Sequence, residues 1–131
     1  IVALKRMNVE KIFIKNRTKN KALDLKKKFS EINLIDWNET IDVDMVINAT
    51  SIGLKKGEKL DIDFKKFGEN KFFYDVIYNP KETNFLSEAR KMGNITENGK
   101  MMFIYQAHQA FSVWHKIFPV IDDEVIRIVE K

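Results

Sequence analysis

The sequence contains no cysteine, only two prolines, five glycines and two histidines in 131 residues. Without cysteine there is neither a disulfide framework nor a thiolate metal site. So few prolines and glycines leave no flexible linker, and no repeat or low-complexity tract is visible, so a single domain is the expected organisation. The length also suits one domain with a real core. No apolar run approaches the length that crosses a bilayer, so no membrane partner is expected. Ile1 to Met7 leads straight into charge, unlike a secretory signal, and a cytoplasmic location is expected. Also lacking is an initiator methionine. Ile1, Val2 and Leu4 read as the last turns of a helix, so a further part is expected upstream.

What is present is the mixture of a globular domain, 44% hydrophobic and 32% charged. The net charge of +4 and pI near 9.2 raise the question of nucleic acid. However, the 23 basic residues are dispersed among 19 acidic ones, and no nucleic-acid motif accompanies them. The densest run, Lys26 to Lys28, falls at the end of an expected helix, where cations suit the dipole. The charge is therefore read as a solvated surface, with no nucleic-acid partner.

Short β-rich runs at Lys11–Lys15, Asn33–Ile35, Asp44–Asn48 and Lys71–Val76 predict strands, with another short segment at Asn94–Thr96. Helices are expected from Thr18, as N-cap, to about Phe29, with Ala22, Leu25 and Phe29 on one face, and from about Thr83 to Met92. A helical turn is expected near Phe64–Phe67, a long helix from Lys100 to Phe118 ending at Pro119, and a last helix from Asp122 to Glu130. This alternation predicts an α/β fold: a Rossmann-like parallel sheet with helices on both faces, truncated at its N-terminus. Ligands in such sheets bind beyond the carboxyl ends of the strands. That selects Asn16–Thr18, Asn48–Gly53 and Val76–Asn79.

At the first place a dinucleotide fold for NAD usually carries an acid that binds the ribose 2′-hydroxyl. Here stands Arg17, with Lys19 and Lys21 beside it. A guanidinium fork pairs well with a 2′-phosphate. The chain has four arginines against nineteen lysines, so Arg17 is more than background basicity. From these residues alone a phosphate site and a solvated basic turn stand level. Asn48-Ala49-Thr50-Ser51-Ile52-Gly53 offers small and hydroxyl-bearing residues, which are also ordinary turn formers. On the long helix, Phe103, Ala107, Ala110, Phe111, Trp114 and Phe118 share one face, expected to be core. Gln106 and His108 lie off that face, and Gln106 is either a ligand contact or an ordinary exposed residue. His108 and His115 have no acid at ligand spacing, so no metal site is expected, and no nucleophile–base–acid set is visible.

Taken together and in order, Asn16-Arg17-Thr18, the Asn48–Gly53 hexapeptide, Tyr74-Asp75-Val76-Ile77-Tyr78-Asn79-Pro80, and Asn98-Gly99 followed by Gln106-Ala107-His108-Gln109-Ala110-Phe111 resemble the shikimate dehydrogenase family. The resemblance covers nearly the whole chain and fits the C-terminal, NADP-binding half. It implies reversible reduction of 3-dehydroshikimate to shikimate with NADPH, in the pathway to aromatic amino acids. Carried over by motif, Asn16, Arg17, Thr18 and Lys21 would surround the 2′-phosphate, and Thr50 and Ser51 would line the cofactor cleft. Val76 and Gly99 would touch the nicotinamide end with Met102 nearby, and Tyr78 and Gln106 would reach shikimate hydroxyls. The implied partner is the family's N-terminal domain, which carries the catalytic Lys and Asp, so no catalytic residue is expected in this chain. The family's Gly-rich phosphate loop has no counterpart here and is expected upstream, so the fragment alone would be inactive and bind cofactor poorly. Two further readings keep the fold: a non-catalytic nucleotide-binding module, and a quinate/shikimate dehydrogenase of different cofactor preference. Arg17 argues against NAD.

Overall fold

The computed structural model describes residues 1–129, and these fall into two compact units, Ile1–Thr40 and one that begins at Ile41. In the first unit, helix α1 (Val2–Arg6) precedes strand β1 (Phe13–Ile14), helix α2 (Lys19–Lys28) and strand β2 (Asn33–Leu34). The strands pair in parallel, Phe13 with Asn33 and Ile14 with Leu34. Ile12, Ala22 and Ile32 are its buried apolar residues; on α2, Leu25 is half-buried and Phe29 follows it as a half-buried C-cap. Thr18 caps α2 by position, but its side chain bonds no helix N–H. Instead the Asn16 side-chain oxygen accepts from Thr18 N at 2.8 Å and shapes the turn. At the other end Lys26 donates to Ser30 O at 2.7 Å and to Ile32 O, using its charge on carbonyls that follow the helix.

The second unit carries strands β3 (Met45–Asn48), β4 (Phe72–Asp75) and β5 (Ile95–Glu97), and helices α3 (Asn84–Lys91), α4 (Lys100–His115) and α5 (Asp123–Ile128), with a 3-10 turn at Phe64–Phe67. Its parallel sheet has the order β3-β4-β5. The core is aromatic: Phe73 (0% exposed) packs edge-on against Phe67 and at a tilt against Phe64 and Phe85, with Leu86 and Ala89 closing it. Alternate burial along β4 places Phe73 and Asp75 inward. Thr83 caps α3 through its hydroxyl, and Asp122 caps α5 through its carboxylate.

The expected α/β fold of parallel strands and helices is present, its strands paired in sheets of two and three. Two expectations differ from the structure. Helix α4 stops at His115, short of Phe118: Lys116 turns left-handed (φ 56), and Pro119 disfavours helix at the residue before it. The aromatic stripe of α4 is not core. Trp114 is 77% and Phe118 78% exposed, and the helix turns Ile104 and Ser112 inward. The expected last helix is seen to Ile128; Glu130 lies outside the described residues.

Candidate functional site

In the first unit, Asn16, Arg17, Thr18 and Lys21 stand together at the carboxyl end of β1 and the start of α2. Arg17, Thr18 and Lys21 are exposed, and no carboxylate pairs with Arg17 or Lys21 among the described residues. The turn therefore presents unneutralised positive charge at a helix N-terminus, an arrangement suited to an anion.

In the second unit the expected residues gather at the carboxyl ends of β3 and β4. Thr50 is held closely: Asn48 Oδ1 accepts from Thr50 N (3.1 Å) and Thr50 Oγ1 (2.8 Å), and Thr50 Oγ1 accepts from Ile52 N (3.1 Å). Ser51 beside it is exposed. The turn ends at Gly53, whose φ of +116 favours glycine and whose added Cβ would meet Thr83 and Ile77 at 3.3 Å. Glu58 accepts from Gly53 N at 3.0 Å and Lys55 N at 3.2 Å, and these bonds hold its carboxyl below the usual glutamate range.

After β4, the carbonyl of Val76 lies so close to Gly99 that an added Cβ there would stand 2.0 Å from it. Gly99 N donates to Ile77 O at 3.1 Å, which seats the start of α4 on this turn. Tyr78, 37% exposed, stacks on Phe103 with ring centroids 4.2 Å apart and planes at 19°. Gly99, Met102 and Gln106 follow one another at three- and four-residue steps, so they share a face of α4, with Met102 and Gln106 exposed. The structure thus brings Val76, Tyr78 and Gly99 into contact range, with Met102 and Gln106 along the same helix. A neighbouring cleft of about 480 Å³ runs from Gly53–Glu58 to Asn79–Asn84, and an apolar cavity of about 240 Å³ lies between α4 and α5. Gly53 and Asn79, the last residues of two of the expected turns, line the first; none of the residues expected to touch cofactor or substrate lines either one.

The supports of these turns are not marked as such in the sequence. Phe103, which the helical period places on a core stripe, carries Tyr78. Asp75 and Thr83, legible only as part of a motif and as a helix start, are both buried. Inward alternation along β4 is the signal that marks Asp75 as a buried acid.

No family model matches the chain. A shikimate dehydrogenase (NADP(+)) of Pelagibacter ubique is 59% identical over 130 residues, 99% of this chain and 49% of that protein. The chain is related to the shikimate dehydrogenases over its whole length. It spans about half the length of the curated relatives it matches. In fold it is similar to the shikimate 5-dehydrogenase of Thermus thermophilus in complex with NADP(H) and shikimate, with a TM-score of 0.78 at 26% identity over 95% of this chain and 47% of that one. A 5-ketofructose reductase of Gluconobacter, in ligand-free form, gives 0.70 at 26% identity over 91% of this chain and 46% of that one. Shikimate dehydrogenase likeness therefore fixes the α/β fold, and the same fold also serves a reductase of another name.

Proposed function

We propose that this chain is the C-terminal, nucleotide-binding half of an NADP-dependent shikimate dehydrogenase, which interconverts 3-dehydroshikimate and shikimate. Asn16, Arg17, Thr18 and Lys21 hold the 2′-phosphate, for which an exposed basic turn without an opposing carboxylate is a fitting receptor. Thr50 and Ser51 line the cofactor cleft, and Val76, Gly99 and Met102 border the nicotinamide end. Tyr78 and Gln106 contact the hydroxyls of shikimate. The observation that carries this reading is the seating of Val76 on Gly99 with Tyr78 stacked on α4, at a strand end where α/β sheets place their ligands.

The bound cofactor supplies hydride chemistry, and the protein's part is to bind, orient and shield. Close approach of Val76 and Gly99 keeps side chains out of the space beside the backbone, so a flat ring can lie against it. The Tyr78 ring, stacked on Phe103, offers a hydroxyl in a restricted direction. The general acid and base belong to the partner N-terminal domain. The test joins this chain to the remaining half of the Pelagibacter relative and follows NADP+ reduction with shikimate. Shikimate-dependent NADPH formation supports the reading; cofactor binding without shikimate oxidation overturns it. Quinate and NAD+ in the same assay decide the variant specificity.

A further inference from the structure

Asp75 ends β4 with no exposed surface, yet its carboxylate is fully engaged. Asn48 Nδ2 donates to both oxygens, at 3.2 and 3.1 Å. Ile77 N donates to Oδ1 at 3.0 Å, and Thr83 Oγ1 donates to Oδ2 at 2.6 Å. These donors come from the end of β3, the turn after β4 and the cap of α3, so one side chain ties three segments together. A buried carboxylate needs such donors, and bonds to a charged acceptor are about twice as strong as neutral ones.

The Ile77 backbone is gripped at both of its peptide groups: Asp75 holds its N–H, and its carbonyl accepts from Gly99 N at 3.1 Å. Its neighbours in sequence are Val76 and Tyr78. Asn48 passes the same constraint to the other loop, since its amide also donates to Ile52 O at 3.1 Å while its oxygen anchors Thr50. We infer that Asp75 is the positioning residue of this site, clamping the Ile77 peptide so that Val76 and Tyr78 are presented in one geometry against α4. Its effect on the reaction rests on the dehydrogenase reading above; its effect on the turn does not.

The experiment therefore has two arms, each with Asp75→Ala and the milder Asp75→Asn. In the first, NMR of the 131-residue chain follows Ile77 amide exchange and the Tyr78–Phe103 contacts, with Phe73–Phe85 contacts as the control for folding. Asp75→Ala should speed Ile77 exchange at least about tenfold and abolish the Tyr78–Phe103 contacts while the core signals persist. Asp75→Asn keeps one oxygen acceptor and should fall between. Should the alanine variant not fold, the asparagine variant is read alone: faster Ile77 exchange with an intact core supports the inference. Unchanged Ile77 exchange in a folded variant overturns it.

In the second arm the joined enzyme is assayed per titrated active site. Asp75→Ala should lower kcat on the order of 10²-fold, the loss expected from misplacement of about 1 Å. KM for NADP+ should rise by a smaller factor than kcat falls, because Val76 and Thr50 shift while Arg17 and its turn are untouched. A variant with fewer active sites but wild-type kcat per site has lost only fold, and that result overturns the positioning role. A wild-type joined protein that never oxidises shikimate sinks the dehydrogenase reading alone, and the first arm still decides Asp75.

Discussion

Gly99→Ala is the sharpest perturbation this structure offers. Gly99 has φ −76 and ψ 6, a conformation alanine accepts, so its necessity is one of space and not of backbone strain. The added methyl would stand 2.0 Å from Val76 O and 2.5 Å from Val76 C, where real contacts do not fall below 3.0 Å. The two backbones must therefore part by at least 1.0 Å, the difference between 3.0 and 2.0. No flexible side chain is available to give way, because both atoms are main chain. Overpacking of this kind costs about 1–3 kcal/mol, and loss of the Gly99–Ile77 bond adds about 1 kcal/mol. Together these come to about 2–4 kcal/mol, or roughly 8–16 °C in Tm at about 4 °C per kcal/mol for a chain of this size. Thermal unfolding followed by circular dichroism measures the shift directly. A variant melting within about 2 °C of the parent would show that the turn and α4 are not in the contact described.

Phe73→Ala should cost about 3–5 kcal/mol in denaturant unfolding, since that ring is fully buried among three others. Trp114→Ala, at 77% exposure, should change the stability of this chain by less than about 0.5 kcal/mol; a loss comparable to that of Phe73→Ala would mean that the α4 stripe is core after all. Glu58 should show a lowered carboxyl pKa, with its clamp on Gly53 and Lys55 fully present above the ordinary glutamate value of about 4.3. As pH falls through the lowered folded value the carboxyl protonates and the clamp is lost, so the Gly53 and Lys55 amide resonances should move with it. Titration of Glu58 at or above the ordinary value would contradict this.

The elements were legible because their signals are local. β-rich runs at Phe13–Ile14, Met45–Asn48 and Phe72–Asp75, the capping threonine at Thr83 and the acidic start at Asp122 each state their own conformation. What a face meets is not local. The 3.6-residue period of Phe103, Phe111, Trp114 and Phe118 establishes only that a continuous helix would place them on one side; the structure ends α4 at His115, buries Ile104 and Ser112 and leaves Trp114 in solvent. The same limit hid the site's framework. The crowding of Gly99 on Val76 and the threefold engagement of Asp75 join residues from separate segments, and no spacing rule within one segment encodes them. Motif order singles out these turns, and packing explains why they hold still.

The proposed selection of NADP by Arg17 in a shikimate dehydrogenase is tested most directly by kcat/KM for NADP+ and for NAD+ in the joined enzyme, with Arg17 intact and as Arg17→Ala. Hydrogen bonds to a charged group are worth about 1.5–3 kcal/mol, so the preference for NADP+ should fall roughly 10- to 150-fold while NAD+ is nearly unaffected. An equal loss with both cofactors, or none with either, would contradict the claim.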